Sequence, residues 1–141
     1  MDSSSSAAAQ PTIVTVRPDQ EVMTLQKLPY FIGVSSASAG ARAISMNMVV
    51  IPPGGSAEPH FHEGFETAIY LIKGRVLTRF GEGLKQETIN ESGDFLFIPA
   101  SLPHQPVNLS DTEAAVAIVA RNVADEQESV VHYDAAAGAA E

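Results

Sequence analysis

The chain has 141 residues, 17 acidic against 8 basic side chains, a formal charge of −9, four His and no Cys. Without a thiol there is no disulfide framework, no Cys-ligated zinc or iron–sulfur cluster and no cysteine nucleophile, so any metal must be held by nitrogen or oxygen donors. So few scattered cations on an acidic chain make no basic stripe for phosphate backbones, and acidic membrane surfaces repel it, so neither nucleic acid nor a membrane is an expected partner.

In chain order, the first segment is "MDSSSSAAAQ", Ser/Ala-rich and without the basic start or apolar stretch of a signal peptide. Residues 1–10 are expected to be a disordered tail, residues 11–133 one domain, and residues 134–141, "DAAAGAAE", a second tail, in a cytoplasmic protein. Within the domain the hydrophobic period is two, in short β-rich runs cut by Gly, Pro and Asn clusters. "TIVTV", "YFIGV", "RAISMNMVVI", "ETAIYLIK", "RVLTRF", "KQETI", "DFLFIP", "QPVNL" and "AAVAIVAR" read as strands. "VRPDQEVMTLQK" is the one candidate helix, weakened by Pro18 and Thr24. The turns between them, "PPGGS", "GEG", "NESG" and "SDTE", hold the residues that tight turns require. An all-β sandwich or barrel follows. In "AISMNMVV", Ile44, Met46, Met48 and Val50 share one face and Ser45, Asn47 and Val49 the other, which suits a strand of a barrel wall.

The chemistry-bearing segment is "PPGGSAEPHFHEGFETAIYLIKG". On an extended chain His60 and His62 project to one face about 7 Å apart, close enough for two imidazoles to converge on one ion. Glu66 opens the next strand with a carboxylate, and His104 follows "GDFLFIPASLP". Three imidazoles and a carboxylate suit one divalent first-row metal ion, with one or two positions left open for water, oxygen or substrate. His132, beside Tyr133, has no partner at ligand spacing and reads as a surface or packing residue. Glu58 and Glu63 read as solvated loop charges, and Arg75 and Arg79, on one face of a strand, as a solvated outer face.

Two segments resemble the paired motifs of the cupin superfamily. Gly54, His60, His62, Glu66 and Gly74 fill the first, Gly-x5-His-x-His-x(3,4)-Glu-x6-Gly, and Gly93, Pro99, His104 and Asn108 match the second, Gly-x5-Pro-x-Gly-x2-His-x3-Asn. The resemblance implies a small jelly-roll β-barrel, a double-stranded β-helix, with a divalent metal held by His60, His62, Glu66 and His104, and with Glu66 able to act as general base. Two positions depart from the motifs. Ser101 replaces a turn Gly, which implies a strained positive φ. Glu66 lies one residue too far from Gly74, so the motif position falls on Thr67; a β-bulge within "TAIYLIK" is expected to absorb the extra residue and turn Glu66 inward.

Asn47, Tyr70, Phe97 and Gln105 are the candidate substrate-binding residues; Met46, Met48, Phe95 and Val107 are expected to help wall the barrel. The ligand set does not choose among Fe, Mn, Ni, Cu and Zn. Among cupin activities, the resemblance implies an enzyme acting on a small oxygenated organic molecule, with dioxygenase chemistry ahead of redox-neutral isomerase, cyclase or decarboxylase chemistry and of non-catalytic ligand binding or sensing. A homodimer is expected, with "TIVTV" as a strand available for exchange.

Overall fold

A computed structural model describes residues 10–125 and 130–136. The strands are β1 (Glu21–Met23), β2 (Pro29–Val34), β3 (Ser45–Ile51), β4 (His60–His62), β5 (Thr67–Lys73), β6 (Arg75–Phe80), β7 (Gln86–Glu91), β8 (Phe95–Ile98), β9 (His104–Asn108), β10 (Ala115–Arg121) and β11 (Val130–His132). A one-turn helix, α1 (Ser36–Ala39), is closed by a capping box between Ser35 and Ser38. The strands form two antiparallel sheets, one ordered β11-β4-β9-β6-β7 and the other β1-β2-β3-β10-β5-β8. Their inner faces share a core of Leu28, Tyr30, Val49, Ile51, Leu71, Val76, Ala117 and Val119. The all-β jelly-roll architecture is therefore the one the motifs imply.

Several local expectations change. Residues 12–16 form no strand, and Ile13 is exposed. The candidate helix contains strand β1 followed by a turn in which Lys27 takes a left-handed φ of 70°. Strands β4 and β11 had no clear period because each is only three residues long. The helical turn and β1 compete in the same window, and pairing of Glu21, Val22 and Met23 with β2 decides for the strand.

Two motif residues have structural roles. Gly74 links β5 to β6 as the chain passes from one sheet to the other; its φ is +106°, and an added Cβ would sit 2.8 Å from the Ala115 Cβ. Asn108 ties the two sheets together. Its buried amide donates to the carbonyls of Ile51 (3.0 Å), Pro52 (3.2 Å) and Glu113 (2.8 Å), while its Oδ1 accepts from the Ser110 N–H (2.9 Å).

Candidate metal centre

The three motif imidazoles come from one sheet. His60 and His62 alternate with Phe61 on β4 and so face inward together; His104 opens β9 directly opposite His60 in the ladder. All three are buried, and one nitrogen from each lies within 4.8 Å of the others. Ring centroids are 5.2 Å apart for His60 and His62, 4.4 Å for His60 and His104, and 5.6 Å for His62 and His104.

Hydrogen bonding fixes two of the tautomers. His60 Nδ1 lies 2.7 Å from the Glu58 carbonyl and His104 Nδ1 lies 2.9 Å from the Leu102 carbonyl. A carbonyl only accepts, so each Nδ1 carries the proton and each Nε2 keeps its lone pair for a ligand. Burial, followed by the field of His104, lowers His60 from 6.5 to about 2 despite the carbonyl bond, which raises it. Burial likewise lowers His104 to about 4; its carbonyl bond raises it and the Arg121 charge lowers it further. Both rings are neutral at physiological pH, the state a metal requires. The donor set therefore fits a divalent transition metal.

The loop before β9 is held to the same strand. Ser101 has the expected positive φ, 64°, and its N–H donates to the His62 carbonyl (2.9 Å) while its hydroxyl accepts from the Gly64 N–H (3.2 Å). Those two bonds offset strain of about 1 kcal/mol for a non-glycine residue there.

The fourth predicted ligand is not with the imidazoles. A bulge is present in β5, where Leu71 and Lys73 pair with consecutive residues of β10 and Ile72 is extra. It does not turn Glu66 inward. Thr67, Ile69 and Leu71 occupy the inner face, leaving Glu66 exposed before the strand with its N–H donated to Asn122 Oδ1 (2.9 Å). The ligating and general-base roles expected of Glu66 thus lack the geometry they need, because strand alternation gives the inward place to Thr67.

The candidate substrate residues also divide. Tyr70 and Phe97 are on the outer face of the six-stranded sheet, with Phe97 60% exposed, so neither reaches the imidazoles. Phe95 and Met46 share that face. Gln105 follows His104 in β9 and therefore faces the other way, donating its amide to the Ala57 carbonyl (3.1 Å). Asn47 is buried on the inner face, where its Oδ1 accepts from the Gly33 N–H (3.0 Å). Its observed contact supports the backbone at the β2 irregularity. His132 is half exposed and lies 3.5 Å from the Glu58 carboxylate; Arg79 pairs with Glu87 at 3.6 Å on an exposed surface.

The facing sheet supplies polar groups that the motifs do not name. Arg121, at the end of β10, is only 5% exposed; its Nε donates to Thr67 Oγ1 (2.9 Å) and its Nη1 approaches Tyr30 OH (3.5 Å). Gln26, in the β1–β2 turn, donates from Nε2 to the same hydroxyl (3.2 Å). Gln26, Tyr30, His60, His104 and Arg121 line one cavity of about 70 Å³, whose other walls are largely aliphatic. The signal for Arg121 in the sequence is its register with Val119, Ala117 and Ala115, the residues of β10 that face the core.

The family model for the cupin domain matches residues 47–120, just over half the chain. The chain belongs to the cupin family. The cupin shares 37% identity over 91 residues with germin-like protein subfamily T member 3 of Arabidopsis thaliana, an alignment covering 62% of this chain and 38% of that protein. Among solved structures it is similar to oxalate decarboxylase of Lactobacillus farciminis in a formate complex, with a TM-score of 0.67 and 22% identity over 80% of this chain and 33% of the other. It is also similar to a recombinant oxalate oxidase in complex with glycolate, with a TM-score of 0.64 and 26% identity over 77% of this chain and 56% of the other. A Bacillus subtilis oxalate decarboxylase with a TM-score of 0.67 and 20% identity, covering 80% of this chain and 30% of that one, has Mn(II) centres. The cupin spans well under two thirds of each of these proteins. No helix among the described residues is long and apolar enough to cross a membrane.

Proposed function

We propose that this cupin is a metal-dependent enzyme that oxidises a small oxygenated organic molecule with dioxygen. The reading rests on the buried trio His60, His62 and His104, which would hold one divalent ion. A divalent ion held by these three imidazoles would supply the redox chemistry between an organic substrate and dioxygen. The chain itself does the rest. Glu58 and Leu102 carbonyls orient two of the rings, and burial keeps those rings neutral. A largely aliphatic cavity lies beside them. Relatives named for oxalate oxidation and decarboxylation support small oxygenated acids as the starting substrate panel.

The decisive experiment measures bound metal in wild type, His60→Ala and His104→Ala, then oxygen uptake after reconstitution with Fe, Mn, Ni, Cu or Zn. The expected result is near-stoichiometric metal in wild type, at least a hundredfold weaker binding in either variant, and one dioxygen consumed per substrate without an external reductant. Unchanged occupancy in both variants would sink the metal reading. Substrate turnover without oxygen uptake would favour a redox-neutral reaction, and ligand binding without turnover a sensing role.

We also infer a homodimer. Across the outer face of the six-stranded sheet, Phe31, Met48, Ile118, Tyr70 and Phe95 lie in one row of paired positions, with Phe95 81% exposed. Such a row is characteristic of a surface covered by another protein. A light-scattering mass of one chain at micromolar concentration would contradict it.

A further inference from the structure

The cavity beside the imidazoles has a chemical polarity that narrows its ligand. On the metal side the three donors are His, with no carboxylate among the described residues in the cluster, so the cluster itself does not offset the charge of a bound dication. On the opposite sheet, the Arg121 guanidinium lines the same cavity, oriented by Thr67 and Tyr30. A dication and a guanidinium at one end of this cavity favour an anion there, while Asp94, the one carboxylate among the lining residues, is exposed in the turn between β7 and β8 and accepts from the Glu91 N–H.

Two further observations set the rest of the molecule. Gln26 is 1% exposed and lines the cavity; its Nε2 is committed to Tyr30, whereas its Oε1 has no hydrogen-bond partner. A buried carbonyl left in that state is destabilising, so it is matched to a donor that arrives with the ligand. The remaining walls include Val49, Ile51, Ile69 and Leu71. The cavity they line has a volume of about 70 Å³, close to half that of an apolar cavity that takes benzene, which favours a ligand body of a few atoms.

We propose that the ligand of this centre is a small aliphatic hydroxycarboxylate. Its carboxylate is drawn to the metal and Arg121, its hydroxyl donates to Gln26 Oε1, and its short aliphatic body lies against Val49, Ile51 and Leu71. This deepens the metal-enzyme reading and rests on it. Arg121 and Gln26 are specificity residues here, one for charge and one for the hydroxyl.

Calorimetric titration of the Mn(II)-loaded protein with four probes tests each part: racemic lactate, propionate without the hydroxyl, lactamide without the charge, and oxalate without the aliphatic body. Lactate is expected to bind at least tenfold more tightly than lactamide, about fivefold more tightly than propionate, and more tightly than oxalate. Gln26→Met should remove the lactate–propionate difference while leaving propionate affinity within twofold. Arg121→Met should reduce the lactate–lactamide ratio at least fivefold.

Lactamide binding as tightly as lactate, oxalate binding tenfold more tightly than lactate, or Gln26→Met retaining full lactate–propionate discrimination would each overturn the proposal. Manganese content is measured in every sample. A wild type that holds none of Fe, Mn, Ni, Cu and Zn defeats the underlying metal reading, one that holds another of these ions is titrated loaded with it, and a fully loaded wild type without these preferences defeats only the ligand assignment. If Arg121→Met does not fold, the wild-type panel and Gln26→Met still decide.

Discussion

The two faces of the six-stranded sheet reverse the usual hydropathy near the imidazole cluster. The inner face carries Ser45, Asn47, Thr67, Arg121 and the Tyr30 hydroxyl, all buried, while the outer face presents Phe31, Met48, Tyr70, Phe95 and Phe97. Farther along the same inner face the residues become Val49, Ile51, Leu71, Ala115 and Ala117. Burial of polar groups is tolerated where each finds a partner, as Thr67 does with Arg121 and Asn47 with Gly33. The difference teaches that side-chain polarity marks the site end of this barrel, whereas plain hydrophobicity marks its closed end and its outer surface.

The largest test of the polar interior that this inner face shares with the opposite sheet is pH. With folded pKa values of about 2 for His60 and about 4 for His104, against 6.5 in the unfolded chain, the unfolded state takes up protons first as pH falls. The two rings therefore cost no stability above pH 6.5 and destabilise the fold progressively below it, until the pH reaches each folded value. Between pH 6.5 and 5 the loss is about 2 kcal/mol per ring. Chelator-treated protein should show this loss in denaturant titrations, and the double variant His60→Gln/His104→Gln should not.

Removing one inner partner is the next effect. Thr67→Val leaves the Arg121 Nε without its acceptor and should reduce stability by about 2 kcal/mol, read as a lower denaturation midpoint at constant slope. Glu66→Gln, one residue away and exposed, should leave both stability and metal content unchanged. Equal effects of the two changes would erase the distinction between inward Thr67 and outward Glu66.

Ser101→Gly relieves the positive φ but gives up the hydroxyl bond to Gly64, so it should raise stability by no more than about 1 kcal/mol in thermal melts. The outer face should respond least in the single chain. Phe95→Glu is expected to change monomer stability by no more than about 0.5 kcal/mol, yet to shift the light-scattering mass from two chains to one. A large loss of monomer stability would show that the outer row belongs to the fold itself.

The sequence made the imidazoles legible because ligand spacing depends on strand period alone: His60 and His62 must share a face wherever β4 lies, and the second motif brings His104 beside them. The barrel class was equally readable from short alternating runs and turn residues. The register between Glu66 and Thr67 was not, since it depends on where the extra residue of β5 is absorbed, and Ile72 is set by pairing with β10. Nor was the inner face of β3. Met46 and Met48 are as apolar as any core pair, and only the opposing sheet assigns Ser45, Asn47 and Val49 to the interior. Arg121 was hidden by its place at the end of an apolar strand, where a cation commonly marks the exit to solvent.

Strand β11 pairs Val130 with His62 and His132 with His60, while β9 meets β4 in the ladder only at His104 and His60. Two of the three clustered imidazoles are thus aligned chiefly by a three-residue edge strand near the chain's carboxyl end. Thermodynamic reciprocity then couples the two: an ion that prefers the ordered β4 must also hold β11 in place, and fraying of β11 must weaken the ion's grip by the same factor. Amide protons of β11 become reporters of the metal, exchanging more slowly when it is bound.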